Sequence, residues 1–160
     1  MKADKVALIE PWKKAPAFAL KDQSGTVHRM SDYLGRPVVL YFYPKDDTSG
    51  CTKEACAFEN RLPAFKADKV AVLGVSILDI ASKKRFAYKY KLTFPLLADA
   101  DHAVAEKYGV WQKKSLYGRS FMGIARTTYL IDAEGKVAKR WDTVKVDGHA
   151  DAVLEAVAGL

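Results

Sequence analysis

Cysteine is almost missing from this chain: 160 residues hold two, Cys51 and Cys56. Two are too few for the disulfide framework that staples small secreted domains, and a cytoplasmic chain keeps such thiols reduced. Histidine is scarce as well. His28, His102 and His149 are not spaced from the cysteines as zinc ligands are, so no metal site is expected. No apolar run approaches the ~18 residues that a membrane span needs. The first sixteen residues carry Asp4, Glu10, Lys13 and Lys14 without an apolar core, so a secretory signal is not expected. Repeats and low-complexity tracts are absent. The expectation is a soluble, cytoplasmic protein.

Acidic residues are outnumbered, 19 against 26 Lys and Arg, for a net charge of +7. The excess is dispersed. Its densest clusters, Lys83-Lys84-Arg85 and Lys113-Lys114, lack the pattern of a nucleic-acid module and are expected on solvated surface. Neither a nucleic acid nor a membrane is an expected partner, though the sign of the charge favours weak attraction to acidic ones. The apolar share of 49% is ordinary for a globular chain. Residues 1–160 are expected to form a single domain, large enough to bury about 70% of its extended-chain surface.

Against that background the stretch VVLYFYPKDDTSGCTKEAC, Val38 to Cys56, stands out. Val38 to Tyr43 is an unbroken β-branched and aromatic run, read as a strand buried on both faces. Pro44 ends it, since proline supplies no ladder donor. A polar loop through Gly50 follows, and a helix pattern opens on Cys51. Cys51 is thus expected in the first helical turn beyond a central strand, where open α/β sheets bind ligands and free N–H groups favour an anion. A thiolate is such an anion. Ala55, Phe58, Leu62 and Phe65 form one helical stripe that includes Cys51, whereas Cys56 projects roughly 140° away. Pro63 is expected to kink or end the helix.

The rest of the chain supplies the frame. Residues 1–16 read as a lead-in arm in which Pro11 and Pro16 resist helix. Phe18–Lys21 and Thr26–Arg29 read as a hairpin across Ser24-Gly25, and Ser31 as the cap of one helical turn through Leu34. Val70–Leu78 is a second buried strand, completing a βαβ unit with a right-handed crossover. Ser82 starts another helix, whose first-turn cations oppose the helix dipole. Phe94-Pro95 breaks the chain, Asp101 caps a short helix through Tyr108, and Gly109 ends it. Val110 to Gly123 reads as an irregular surface loop. Thr127–Ile131 and Lys136–Trp141 form a second hairpin around Gly135, and Gly148–Ala158 a final helix. The order βαβ, an inserted αα stretch, then ββα describes an α/β, thioredoxin-like fold: a central mixed sheet flanked by helices, with an N-terminal hairpin.

A buried structural cysteine is the ordinary fate of such a residue. Three features weigh against it for Cys51: the helix N-terminus, a hydroxyl three residues earlier, and a second cysteine in the same segment. The segment Pro44-Lys45-Asp46-Asp47-Thr48-Ser49-Gly50-Cys51 fits the peroxiredoxin signature of proline, three residues, Thr or Ser, two residues, Cys. With Cys56 five residues on, in CTKEAC, the chain resembles the bacterioferritin-comigratory protein (PrxQ) subfamily. FPLLAD at Phe94–Asp99 and GIARTTYLID at Gly123–Asp132 resemble its later landmarks, so the likeness covers most of the chain.

The resemblance implies a thiol peroxidase that reduces hydrogen peroxide and organic hydroperoxides with no cofactor, neither metal nor prosthetic group. It implies that Cys51 is peroxidatic and Cys56 resolving, the two joining in an intrachain disulfide. Thr48 and Arg126 would bind the peroxide and hold the thiolate, Pro44 would shield it from water, and Glu54 would orient the arginine. Thioredoxin, or else glutaredoxin or glutathione, would be the reductant, and the chain would act as a monomer. Ser49 stands where proline is common in the subfamily, and the Gly-Gly-Leu-Gly and Tyr-Phe segments of the easily over-oxidised 2-Cys branch are missing. Two other readings compete. A thiol–disulfide oxidoreductase would carry Cys-x-x-Cys, whereas four residues separate these cysteines. A basic binding module with structural cysteines would show no response to stoichiometric peroxide.

Overall fold

The computed structural model describes residues 7–160, so the first six residues of the lead-in arm lie outside the described residues. Strands β1 (Ala19–Lys21) and β2 (Val27–Arg29) form the expected hairpin. Asp22 closes it, its carboxylate accepting from the Ser24 and Thr26 amides and the Ser24 hydroxyl. The helical turn that follows spans Met30–Tyr33 and is stabilised by Asp32, which accepts from the Arg29 amide. It therefore starts before Ser31, which is not its cap.

β3 (Val38–Phe42) is buried along its whole length and joins α1 (Ser49–Ala67) and a parallel β4 (Ala71–Ser76) in the βαβ unit. Its side chains alternate between two cores. Val39, Tyr41 and Tyr43 pack with Phe58, Leu62 and Phe65 of α1, while Val38, Leu40 and Phe42 pack on the opposite face with Leu73, Tyr108 and Tyr129. Pro63 does not end α1. It lies on the exposed side between buried Leu62 and Phe65, whose packing carries the helix on to Ala67 although the Glu59 carbonyl receives no hydrogen bond from residue 63.

α2 (Ile80–Tyr90) begins two residues before Ser82, because Asp79 accepts from the Ser82 amide as its cap. Strand β5 (Leu96–Ala98) then runs parallel to β4, so the insertion is not purely helical as expected. Three residues are too few to show a period, and β5 is fixed from afar: the Gln23 amide accepts from Leu96 N and donates to Phe94 O. α3 (Ala103–Lys107) receives the Asp99 carboxylate on the amides of Val104 and Ala105, while Asp101 takes only that of Ala103. Gly109 has φ +74° and closes this turn as anticipated.

The supposed loop from Val110 to Gly123 is instead a second, two-stranded sheet. β6 (Trp111–Leu116) and β7 (Arg119–Ile124) pair around Tyr117 and Gly118, both with positive φ, the geometry of a tight hairpin turn. β7 is mostly exposed and β6 is no more than half-buried, so neither shows the apolar alternation that identifies a strand with one face in a core. β8 (Thr127–Ile131) and β9 (Val137–Trp141) form the predicted hairpin, and α4 (His149–Val157) returns beside α1. The main sheet has the order β2-β1-β5-β4-β3-β8-β9, with β3 and β4 at its centre. It is the expected mixed sheet flanked by helices.

Candidate active site

The site grows from the carboxyl end of β3. Tyr43 keeps one last ladder bond to Val75 O, and the half-buried Pro44 turns the chain outward. Asp47 at φ +59° reverses the loop, and Thr48, in extended conformation, is the N-cap residue of α1. The helix thus opens at Ser49, two residues earlier than the sequence implied, and Cys51 is its third residue. Thr52 makes the first helical bond, to Thr48 O, leaving the amides before it without a partner in the helix. Cys51 itself is 1% exposed.

Arg126 arrives from the short link between β7 and β8. Its Nη2 donates to Cys51 Sγ at 3.3 Å, and its Nη1 pairs with Glu54 Oε1 at 2.5 Å. Cys51 and Glu54 lie three residues apart on the same helical face, so one planar guanidinium spans both. Gly50 makes room for it: a side-chain carbon there would stand 3.3 Å from Arg126 Nη2. No local pattern marks Gly50 for this part, because the guanidinium it admits comes from a residue distant in sequence.

Electrostatics at the site are governed by burial. Glu54 is 1% exposed, and desolvation pushes its carboxyl up to about 7 although Arg126 opposes the shift. Its Oε2 finds no hydrogen-bond partner among the described residues, which is consistent with that direction. Arg126 is also partly desolvated, but the nearby Glu54 and Cys51 more than compensate and hold it charged. The half-buried Lys114 is pulled down by desolvation and by Arg126, so it does not share the fully solvated position expected for its cluster.

Other predicted residues are arranged differently. The Thr48 hydroxyl donates to Lys45 O at 3.0 Å and has no bond to Cys51. Cys56 is half-buried beside the α1 core, and both thiols are free. Burial and Glu59 push the Cys56 thiol up. The histidines are engaged separately: His28 with Asp22 and Tyr33, His102 with Glu106, and His149 with Thr128.

Lys83 departs most from expectation. It belongs to a cluster expected on solvated surface, yet it is 0% exposed, with Nζ 3.1 Å from Asp46 Oδ1. Asp46 likewise is buried, although it lies in the polar loop. A carboxylate within the signature loop was the available signal, but nothing local to Lys83 pairs it with a residue 37 positions away.

Comparisons with known proteins identify the family and the fold. The AhpC/TSA family matches residues 11–140. A putative peroxiredoxin bcp from Coxiella burnetii is 46% identical over 91% of this chain and 97% of its own length. Peroxiredoxin Bcp of Bacillus subtilis is 42% identical, over 93% and 95%. Among solved structures, the Xanthomonas campestris bacterioferritin comigratory protein superposes with a TM-score of 0.88 at 38% identity, covering 94% of this chain and 98% of its own. That protein is described by its alkyl peroxide reduction activity and a trapped intermediate. A cysteine variant of Xylella fastidiosa PrxQ gives a TM-score of 0.91 at 33% identity, covering 96% and 98%.

Proposed function

The chain belongs to the AhpC/TSA family as a peroxiredoxin of the Bcp (PrxQ) type, and we propose that Cys51 is its peroxidatic and Cys56 its resolving cysteine. Its activity is that of a thiol peroxidase on a thioredoxin-like fold. The observation that carries the assignment is the Arg126 contact on the buried Cys51 sulfur.

The Cys51 thiolate attacks the terminal oxygen of a hydroperoxide. The O–O bond breaks, sulfur is oxidised to the sulfenic acid, and the departing oxygen takes a proton to leave as water or alcohol. A buried thiolate with a fixed guanidinium is suited to this, because the same donors can meet charge that grows on the leaving oxygen. Thr48 would turn its hydroxyl from Lys45 O to the peroxide, and Pro44 would limit water. Glu54 holds Arg126 in register. Cys56 then attacks the Cys51 sulfur, a disulfide forms and water leaves. A dithiol such as thioredoxin or glutaredoxin, or else two molecules of glutathione, restores both thiols by exchange and leaves as the disulfide.

Hydrogen peroxide and organic hydroperoxides are the proposed substrates, and the intrachain resolving cysteine lets a single-domain monomer complete the cycle. The proposed compartment is the cytoplasm. Among the described residues no helix is long and apolar enough to cross a membrane. A thioredoxin-coupled peroxide assay tests the assignment. Wild type should turn over and Cys51→Ser should not, because a serine hydroxyl is scarcely ionised at neutral pH. Substantial turnover by Cys51→Ser would remove Cys51 from its role.

A further inference from the structure

The buried ion pair of Lys83 takes no part in these steps, yet it touches the loop that performs them. Lys83 Nζ lies 3.1 and 3.2 Å from the two oxygens of Asp46, bonds Ser76 Oγ, and stands 5.1 Å from the centre of the Tyr43 ring. Asp46 also accepts from Tyr43 OH at 2.6 Å and from Ser82 Oγ at 2.7 Å. The next residue is gripped too. Asp47 accepts from Lys89 Nζ at 2.9 Å and Tyr90 OH at 2.6 Å. Ser82, Lys83, Lys89 and Tyr90 all belong to α2, so this helix holds the loop between Pro44 and Thr48 by two successive carboxylates.

Stability alone explains this poorly. A lysine in the first turn opposes the helix dipole, and an ion pair taken out of water repays its desolvation only in part. Burial pulls the Lys83 amine down, with Asp46 acting against it. What the pair does secure is geometry. Asp46 lies two residues before the N-cap Thr48 and five before Cys51.

We propose that Lys83 is a positioning residue for Cys51: through Asp46 it fixes the loop and the first turn of α1 so that Sγ stays against Arg126. The proposal rests on Cys51 being the peroxidatic residue. Peroxide attack needs Cys51 seated, whereas closure to Cys56 needs the first turns of α1 to open. Loosening the grip therefore acts unequally on the two steps, slowing the first and sparing or speeding the second.

The experiment follows peroxide loss and Cys51–Cys56 disulfide formation separately, by rapid quench and thiol labelling. The proteins are wild type, Lys83→Met, Ser82→Ala, Cys51→Ser and Lys84→Met, the last removing the exposed neighbouring cation. Lys83→Met should slow the peroxide step on the order of tenfold or more, as small misplacements of reacting groups do. Its disulfide closure should be as fast as wild type or faster, and Lys84→Met should match wild type in both steps. If Lys83→Met does not fold, Ser82→Ala decides, since it removes one bond on Asp46 without stranding a charge; the peroxide step should slow several-fold with closure unslowed. Wild-type peroxide rates in the deciding variant overturn the proposal, and so does equal slowing of both steps. Peroxide consumption that survives Cys51→Ser overturns the peroxidatic assignment itself, and the proposal with it.

Discussion

Arg126 Nη2 donates to Cys51 Sγ across 3.3 Å, joining two residues 75 positions apart in the chain. The contact sets a permanent positive charge beside the sulfur proposed to react. Arg126→Met should lower the second-order rate with peroxide by about a hundredfold, the order seen when one donor to a developing negative charge is lost. Stopped-flow measurement of the first oxidation reads this directly, and a variant as fast as wild type would place Arg126 outside the reaction.

Glu54 supplies a pH signature. Its carboxyl sits at about 7 in the folded chain because of burial, against 4.5 for the ordinary group. The folded state therefore holds that proton more tightly than the unfolded state. By linkage, the contribution of Glu54 to stability falls as pH rises between those two values. Glu54→Gln should flatten this decline, so thermal midpoints at about pH 5 and about pH 8 should differ less in the variant than in wild type. The same pH difference in both proteins would show that Glu54 does not titrate in that window.

Cys56→Ser should consume about one peroxide per chain, stop at the Cys51 sulfenic acid, and lose most reductant-linked turnover. Mass spectrometry after dimedone trapping identifies the stalled species. Full thioredoxin-coupled activity in this variant would mean that another thiol resolves the intermediate.

The disulfide should require α1 to unwind at its start. Residues five apart in an intact helix have Cα atoms ~8.7 Å apart, with side chains some 140° apart around the axis. A disulfide spans roughly 4.4–6.8 Å between Cα atoms, so Cys51 and Cys56 cannot join while these turns hold. Anchored beyond Cys56 by buried Phe58 and Leu62, the helix can open locally over residues 50–57. Amide exchange on both redox forms decides it: equal protection of residues 50–57 in a verified disulfide form would exclude unwinding.

What the sequence determined by itself is local. An unbroken apolar run ended by proline, then a polar loop and an apolar helical stripe, places Cys51 in the first turn of a helix beyond a buried strand. Each signal acts within a few residues, so it is readable without the rest of the chain. Gly135 and Gly109 belong to the same class, since a positive φ is a property of the residue itself. Tertiary structure decided the rest. β5 exists because β4 pairs with it and Gln23 reaches it from the β1–β2 hairpin, and β6 and β7 because each satisfies the other's backbone while showing little apolar face to a core. Lys83 reads as surface lysine until chain closure brings Asp46 to it. The Arg126 guanidinium had a role by resemblance but acquired a position only when β8 paired with β3. Long-range charge pairs and short strands are stabilised by groups distant in sequence, and only the folded chain brings those groups within reach.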